Sequence, residues 1–309
     1  MSGGCLQKCG IFTKKRGESL YLFMILLAGI LWGVIGLFTR QLNGAGLASM
    51  DIVALRASVT ASVTGLILLF RNRRAFRIRL KDLWIFAGTG IGSIVFFNAC
   101  YFKTVEEASL SVAAVLLYTA PVFVMLISAA VFREKLTVRK IAAALLTVAG
   151  CALVTGETGS GGISFMTLLT GLGAGLGYAL YSIFGRFAIE RAYSSMTITF
   201  YTFLVAAVFS LICVRPARLF STAFSTLPLA AVSIGLGVIC TVCPFVLYTV
   251  GLTHVENSVA SVIASVEPVT ATIAGAVVYG EKLTVTGIIG IVVVAAAMVL
   301  AENNKSDRQ

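Results

Sequence analysis

Charge is the scarcest property of this chain. Asp, Glu, Lys and Arg make up only 12% of its 309 residues, the acids number 13, and there is one histidine, His254. A soluble core of that length would need far more charged surface to stay in solution. The shortage also narrows the chemistry. Hydrolysis needs a nucleophile with a base, a pair of carboxylates or a metal cluster, yet no apolar stretch carries two acids and His254 falls in a short loop. No catalytic residue, metal or cofactor is expected. The seven cysteines are odd in number and scattered. Cys240 and Cys243 in ICTVC have redox spacing but no polar partner to activate a thiolate, and Cys5 with Cys9 is too few for zinc. They read as small packing residues.

What fills the chain instead is apolar: 58% of residues are hydrophobic, and the mean hydropathy is +0.97. A membrane-spanning helix needs about 20 mostly apolar residues to cross a hydrocarbon core of ~30 Å. Ten runs fit: 20–38, 52–70, 83–102, 110–132, 138–155, 165–184, 196–214, 227–250, 259–279 and 285–301. Their length and lack of strict alternation predict helices, not strands. The first run is too long for a signal-peptide core and no small-x-small site follows it, so it reads as a retained span. The fold class is an all-α polytopic membrane protein that contacts the lipid bilayer along its whole belt.

A net charge of +11 suits nucleic acid in principle, but its distribution argues for orientation instead. Six Lys/Arg residues lie in RNRRAFRIRLK (71–81) and four in the N-terminal tail. With the N-terminus inside, 18 basic residues face the cytoplasm and 5 face out, leaving aside Arg56, which lies within a span. The positive-inside rule thus favours both termini inside, and the expected location is the cytoplasmic (inner) membrane. No nucleic-acid partner is expected.

The chain also repeats itself. Shifted by 147 residues, SVAAVLLYTAPVFVMLISAAVFREKLTV (111–138) falls on SVASVIASVEPVTATIAGAVVYGEKLTV (258–285), with 13 of 28 positions identical and Pro121 on Pro268. Tyr101 meets Tyr248 in that register, and at a shift of 146 Phe38-Thr39-Arg40 meets Phe184-Gly185-Arg186. The organisation that follows is a tail (1–19), a five-helix unit (20–156), the Gly/Ser-rich joint ETGSGGIS (157–164), a second unit (165–301) and a short tail (302–309). Five is odd, so the second unit should enter from the opposite side. Charge agrees: Arg133, Lys135, Arg139 and Lys140 around the first EKLTV become Gly280, Lys282, Thr286 and Gly287 around the second. Ten helices as two inverted five-helix repeats is an architecture of secondary transporters.

The paired P-V…EKLTV and E-P-V…EKLTV blocks, the W-G of LLAGILWGVIGLF and ALRAS in the second span resemble the EamA family of the drug/metabolite transporter superfamily. The resemblance covers both halves. It implies a basket-shaped ten-helix fold and export or exchange of small metabolites, commonly amino acids or related compounds.

The residue that focuses the chemistry is Glu267, about nine residues into its span and so near the midplane. An acid there is costly and reads as functional by default. Small neighbours, Ala260, Ala264, Ala271 and Ala274, turn it into the bundle. Pro268 has no N–H, which frees the Ala264 carbonyl toward a cavity. Glu267 binds a cationic group of cargo or takes up a coupling proton, or else stays neutral and ties two helices together. Its counterpart in the first half is Ala120.

Arg56, the other intramembrane charge, clamps a cargo carboxylate or snorkels to the interface. Asn98, Trp32, Tyr101, Tyr118, Tyr178, Tyr181 and Tyr248 complete the candidate cavity, with the tyrosines also readable as core residues with locally satisfied hydroxyls. Glu134/Lys135 and Glu281/Lys282 are expected at the water interface, with Thr137 and Thr284 capping the helices that follow. GLGAGLG (171–177) has no preceding strand, so its glycines are close-packing residues rather than a dinucleotide loop.

The expectation is a transporter of small molecules, amino acids first, with protons as a candidate coupling ion and one chain sufficient for a pathway. Nucleosides, nucleotide sugars or organic cations form the alternative cargo class, and a non-transporting receptor or scaffold is the rival outside transport.

Overall fold

A computed structural model describes residues 19–155 and 164–303. The predicted N-terminal tail with Cys5 and Cys9, nearly all of the Gly/Ser-rich joint, and the end of the C-terminal tail lie outside these residues. Among these described residues, ten helices are long and apolar enough to cross a membrane: α1 (Ser19–Gly44), α2 (Ser49–Arg71), α3 (Leu80–Glu107), α4 (Leu110–Phe132), α5 (Val138–Thr155), α6 (Phe165–Glu190), α7 (Ser195–Ile212), α8 (Leu227–Leu252), α9 (Asn257–Tyr279) and α10 (Val285–Glu302). Among the described residues there is no strand. Each predicted run has its helix. Several helices run on into polar sequence, because hydropathy marks only the segment inside hydrocarbon. The ends of α3 and α6 are extended by i,i+4 ion pairs, Lys103–Glu107 at 2.8 Å and Arg186–Glu190 at 3.7 Å.

Hydroxyl caps set several starts. Ser109, Ser164, Ser194 and Thr226 accept from the third backbone N–H beyond them, opening α4, α6, α7 and α8. Thr137 and Thr284 do the same for α5 and α10, accepting from Lys140 N at 3.3 Å and Gly287 N at 3.0 Å, as the EKLT motif predicts. A short helix, Pro216–Ala223, buries Leu219 and Ala223 beside Leu42 and Leu55.

The two halves share their irregularities. Wide π-helical turns occur in α3 over Gly88–Val95 and in α8 over Val238–Val242. α4 breaks at Tyr118 and Thr119, and α9 breaks at Ser265. Left-handed residues end α4 and α9 at Arg133 (φ 57°) and Gly280 (φ 68°), which are 147 apart.

Contacts repeat as well. Gly88 lies against the Phe184 ring and Gly235 against the Phe38 ring. A Cβ on Gly29 would fall 2.7 Å from the Ala264 carbonyl oxygen, and one on Gly175 would fall 2.6 Å from Thr119 Oγ1 and 3.3 Å from the Leu117 oxygen. These two glycines let α1 and α6 press into the breaks of α9 and α4, which is the packing role expected of GLGAGLG. Equivalent spans also pair, α2 with α7 and α5 with α10. Gly150 faces Val294 while Gly290 faces Val154, so α5 and α10 run antiparallel.

Candidate functional site

A cavity of about 1070 Å³ opens into the centre of the bundle from one end. Its mouth is bounded by Arg40, Asn43, Ser49, Val105, Leu110 and Glu281. No residue of 132–142, 186–196 or 249–262, at the opposite end, lines it.

Glu267, Arg56, Asn98 and Trp32 all line this cavity, as do Tyr101, Tyr118, Tyr178, Tyr181, Tyr248 and Pro268. Residues scattered over seven spans therefore meet in one space. Pro121 does not reach it. It is buried in the second segment of α4, and the break in that helix sits before it at Tyr118 and Thr119. The Ala264 carbonyl also departs from expectation: it lies against Gly29 rather than facing the cavity, because α1 packs into the break.

The polar groups are held in distinct ways. Tyr178 Oη donates to Glu267 Oε2 at 2.9 Å, holding the acid at the cavity wall. Tyr181 Oη and Thr249 Oγ1 are 2.9 Å apart, and Ser182 Oγ and Tyr248 Oη 2.8 Å apart, so these two tyrosines are satisfied within the bundle. Asn98 Nδ2 donates to the Ile94 carbonyl one turn earlier at 2.7 Å. The Trp32 ring meets Phe245 edge-on at 5.1 Å and tilts toward Tyr248 at 5.3 Å. Its buried Nε1 has no hydrogen-bond partner among the described residues.

Arg56 is half-buried, faces the cavity rather than lipid, and has no ion-pair partner among the described residues. Glu267 lines the same cavity but forms no salt bridge with Arg56. Asp51, about a turn away, is occupied in accepting from Ala48 N at 3.0 Å. Inside the mouth residues Arg40, Glu281 and Lys282, the cavity presents one cation, Arg56, and one acid, Glu267, set apart between aromatic walls. Phe97 and Phe245 belong to those walls and were not anticipated. The repeat register carries a signal for the second, since Phe245 is the counterpart of Asn98.

The end away from the mouth corrects another expectation. Glu134, read as interfacial, has a side chain only 10% exposed, and Lys140 beside it one only 2% exposed. Glu134 accepts from Asn257 N at 3.0 Å and from Ser258 Oγ at 2.6 Å, capping α9 from the other half. Lys140 Nζ sits 2.6 Å from Glu256 and 3.7 Å from Glu134. The unpaired N–H groups that begin a helix attract a carboxylate, which draws Glu134 out of water. Glu281, in contrast, is exposed as expected, and pairs with Arg40 at 3.1 Å.

Comparison with known proteins agrees with this architecture. The EamA-like transporter family matches the chain twice, over residues 19–156 and 165–302. A protein of Archaeoglobus fulgidus named "Uncharacterized transporter" is 29% identical over 280 residues, spanning 90% of this chain and 94% of that protein. "Uncharacterized transporter YxxF" of Bacillus subtilis is 25% identical over 296 residues, 93% of this chain and 90% of its own length. One crystal structure superposes with a TM-score of 0.76, covering 92% of this chain and 96% of that one at 18% identity, a likeness of fold alone. With two matches that together span nearly its whole length, this multi-pass membrane protein belongs to the EamA-like transporter family.

Proposed function

We propose that the protein is a secondary transporter of small zwitterionic metabolites, amino acids first, working by alternating access. The observation that carries this reading is the unpaired Arg56 on the same aromatic-walled cavity as Glu267. A guanidinium offers a planar fork to a carboxylate. Glu267, steadied by Tyr178, is the natural partner of an ammonium group. The Trp32 indole N–H is a donor left for cargo, and the rings of Phe97 and Phe245 suit an apolar side chain.

The membrane arrangement belongs to the same proposal: two inverted halves in the cytoplasmic membrane, both termini inside. The antiparallel run of α5 and α10 and the loss of basic charge around the second EKLTV support it. In that orientation the mouth beside Glu281 faces outward, and transport runs as efflux or exchange.

The test is counterflow in liposomes, with pools of amino acids, nucleosides and organic cations offered separately. Exchange of amino acids that weakens in Arg56→Gln supports the reading. Preference for a pool lacking a carboxylate removes Arg56 as the clamp, and no exchange of any pool favours a receptor.

A further inference from the structure

The two ends of the molecule are made of equivalent parts in unequal states. At the closed end Glu134 caps α9 through Asn257 N, Ser258 N and Ser258 Oγ. Beside it Arg186 on α6 donates to the carbonyls of Leu252 and Val255, just ahead of that cap. The internal repeat supplies a counterpart for every one of these groups. Glu281 answers to Glu134, Leu110 and Ser111 to Asn257 and Ser258, Val105 and Ala108 to Leu252 and Val255, and Arg40 to Arg186.

None of the counterpart contacts is made. Glu281 and Arg40 pair with each other instead, 59% and 60% exposed, and the Arg40 guanidinium rests 4.0 Å over the Tyr279 ring. Among the described residues, nothing accepts from Leu110 N or Ser111 N, and the Ser111 hydroxyl has no partner. The cavity mouth lies between the two sets, lined by Arg40, Val105, Leu110, Ser111 and Glu281.

We propose that Glu281 and Arg40 are the latch that shuts this mouth. On closing, Glu281 leaves Arg40 and caps α4 through Leu110 N, Ser111 N and Ser111 Oγ, while Arg40 turns to the carbonyls of Val105 and Ala108. The inference rests on the alternating-access reading above. Its chemistry is sound on both sides of the exchange. An exposed ion pair is worth little and is cheap to break, whereas a carboxylate on free helix-start N–H groups is favoured by both hydrogen bonding and the helix dipole.

The two latches are unequal. Lys140 stands buried between Glu256 and Glu134, but the matching positions, Gly287, Ser109 and Glu281, hold no buried cation. The Glu281 end is therefore the weaker closure, which fits its being the open one here.

The test reads the mouth directly, without cargo. A cysteine placed at the mouth by Ser49→Cys, outside the latch contacts, is labelled with a membrane-impermeant maleimide in liposomes, against the baseline of the parent protein's own cysteines. Glu281→Gln is expected to raise labelling and to cut counterflow of labelled amino acids about tenfold, the scale of one lost charge-assisted cap, with Glu281→Asp recovering part of it. Tyr279→Leu, which removes the ring that holds Arg40 in the open position, is expected to lower labelling.

A mere surface ion pair would leave labelling unmoved in both variants, and that result overturns the latch. If the parent carries none of the offered pools but labelling still shifts, the cargo reading fails and the latch stands.

Discussion

Tyr178 Oη lies 2.9 Å from Glu267 Oε2, and this hydrogen bond joins α6 to α9 at the wall of the cavity. The repeat register makes Tyr178 the counterpart of Trp32, and the two rings approach edge-on at 6.3 Å. The same position in each half therefore reaches the centre, but only the second half brings a hydroxyl and an acid. Tyr178→Phe keeps the ring and removes the donor. Loss of one hydrogen bond to a charged group costs about 1.5–3 kcal/mol, so amino-acid counterflow should fall roughly tenfold or more with little change in thermal stability. Unchanged counterflow would place Glu267 outside the pathway.

Arg56 should discriminate between charge and shape. Arg56→Lys keeps the cation but loses the planar fork, so carboxylate cargo should bind roughly tenfold more weakly, the scale of about 1.4 kcal/mol. A decarboxylated amine analogue should show no such loss. Competition binding in detergent separates the two ligands.

Lys140 tests the buried joint. Removing one partner from a buried ion pair costs about 3–5 kcal/mol, because the remaining charge is left unpaired. Lys140→Ala should lower the midpoint of thermal aggregation markedly, and the exposed Lys135→Ala should leave it nearly unchanged. Equal midpoints for the two variants would refute the structural role of Lys140.

Arg133 holds a left-handed conformation (φ 57°) where its counterpart is Gly280. That region costs a residue with a Cβ about 1–2 kcal/mol, and glycine adopts it freely. Arg133→Gly should raise the thermal midpoint, and a drop would show that the arginine makes a contact worth more than the strain.

The fold was legible because hydropathy reports directly on membrane crossing, and the doubled EKLTV block exposes the repeat. Much of the cavity was legible for a related reason. A polar or aromatic side chain in an apolar span has few places to go, and Glu267, Arg56 and Asn98 all reach the same space. Contacts that depend on distant backbone were not legible. Nothing near Glu134 in sequence says that the first N–H groups of α9 will lie above it, so an acid in a loop looks interfacial. Pro121 shows the same limit, since the break it accompanies sits at Tyr118 and Thr119 while its ring is buried away from the cavity. Its twin Pro268 lines the cavity because α1 packs on α9 through Gly29 and Gly33.

Lys135 and Lys282 occupy matching positions in the two EKLTV blocks, and both are exposed. Cysteines introduced singly at these sites, labelled with an impermeant thiol reagent in intact cells and again in inverted vesicles, test the opposed orientation of the halves. Labelling of 282 only from outside and of 135 only from inside is the result predicted. Reaction of both from one side would mean that the halves enter the bilayer in parallel, and a pathway closed alternately at its two ends could not be built from them.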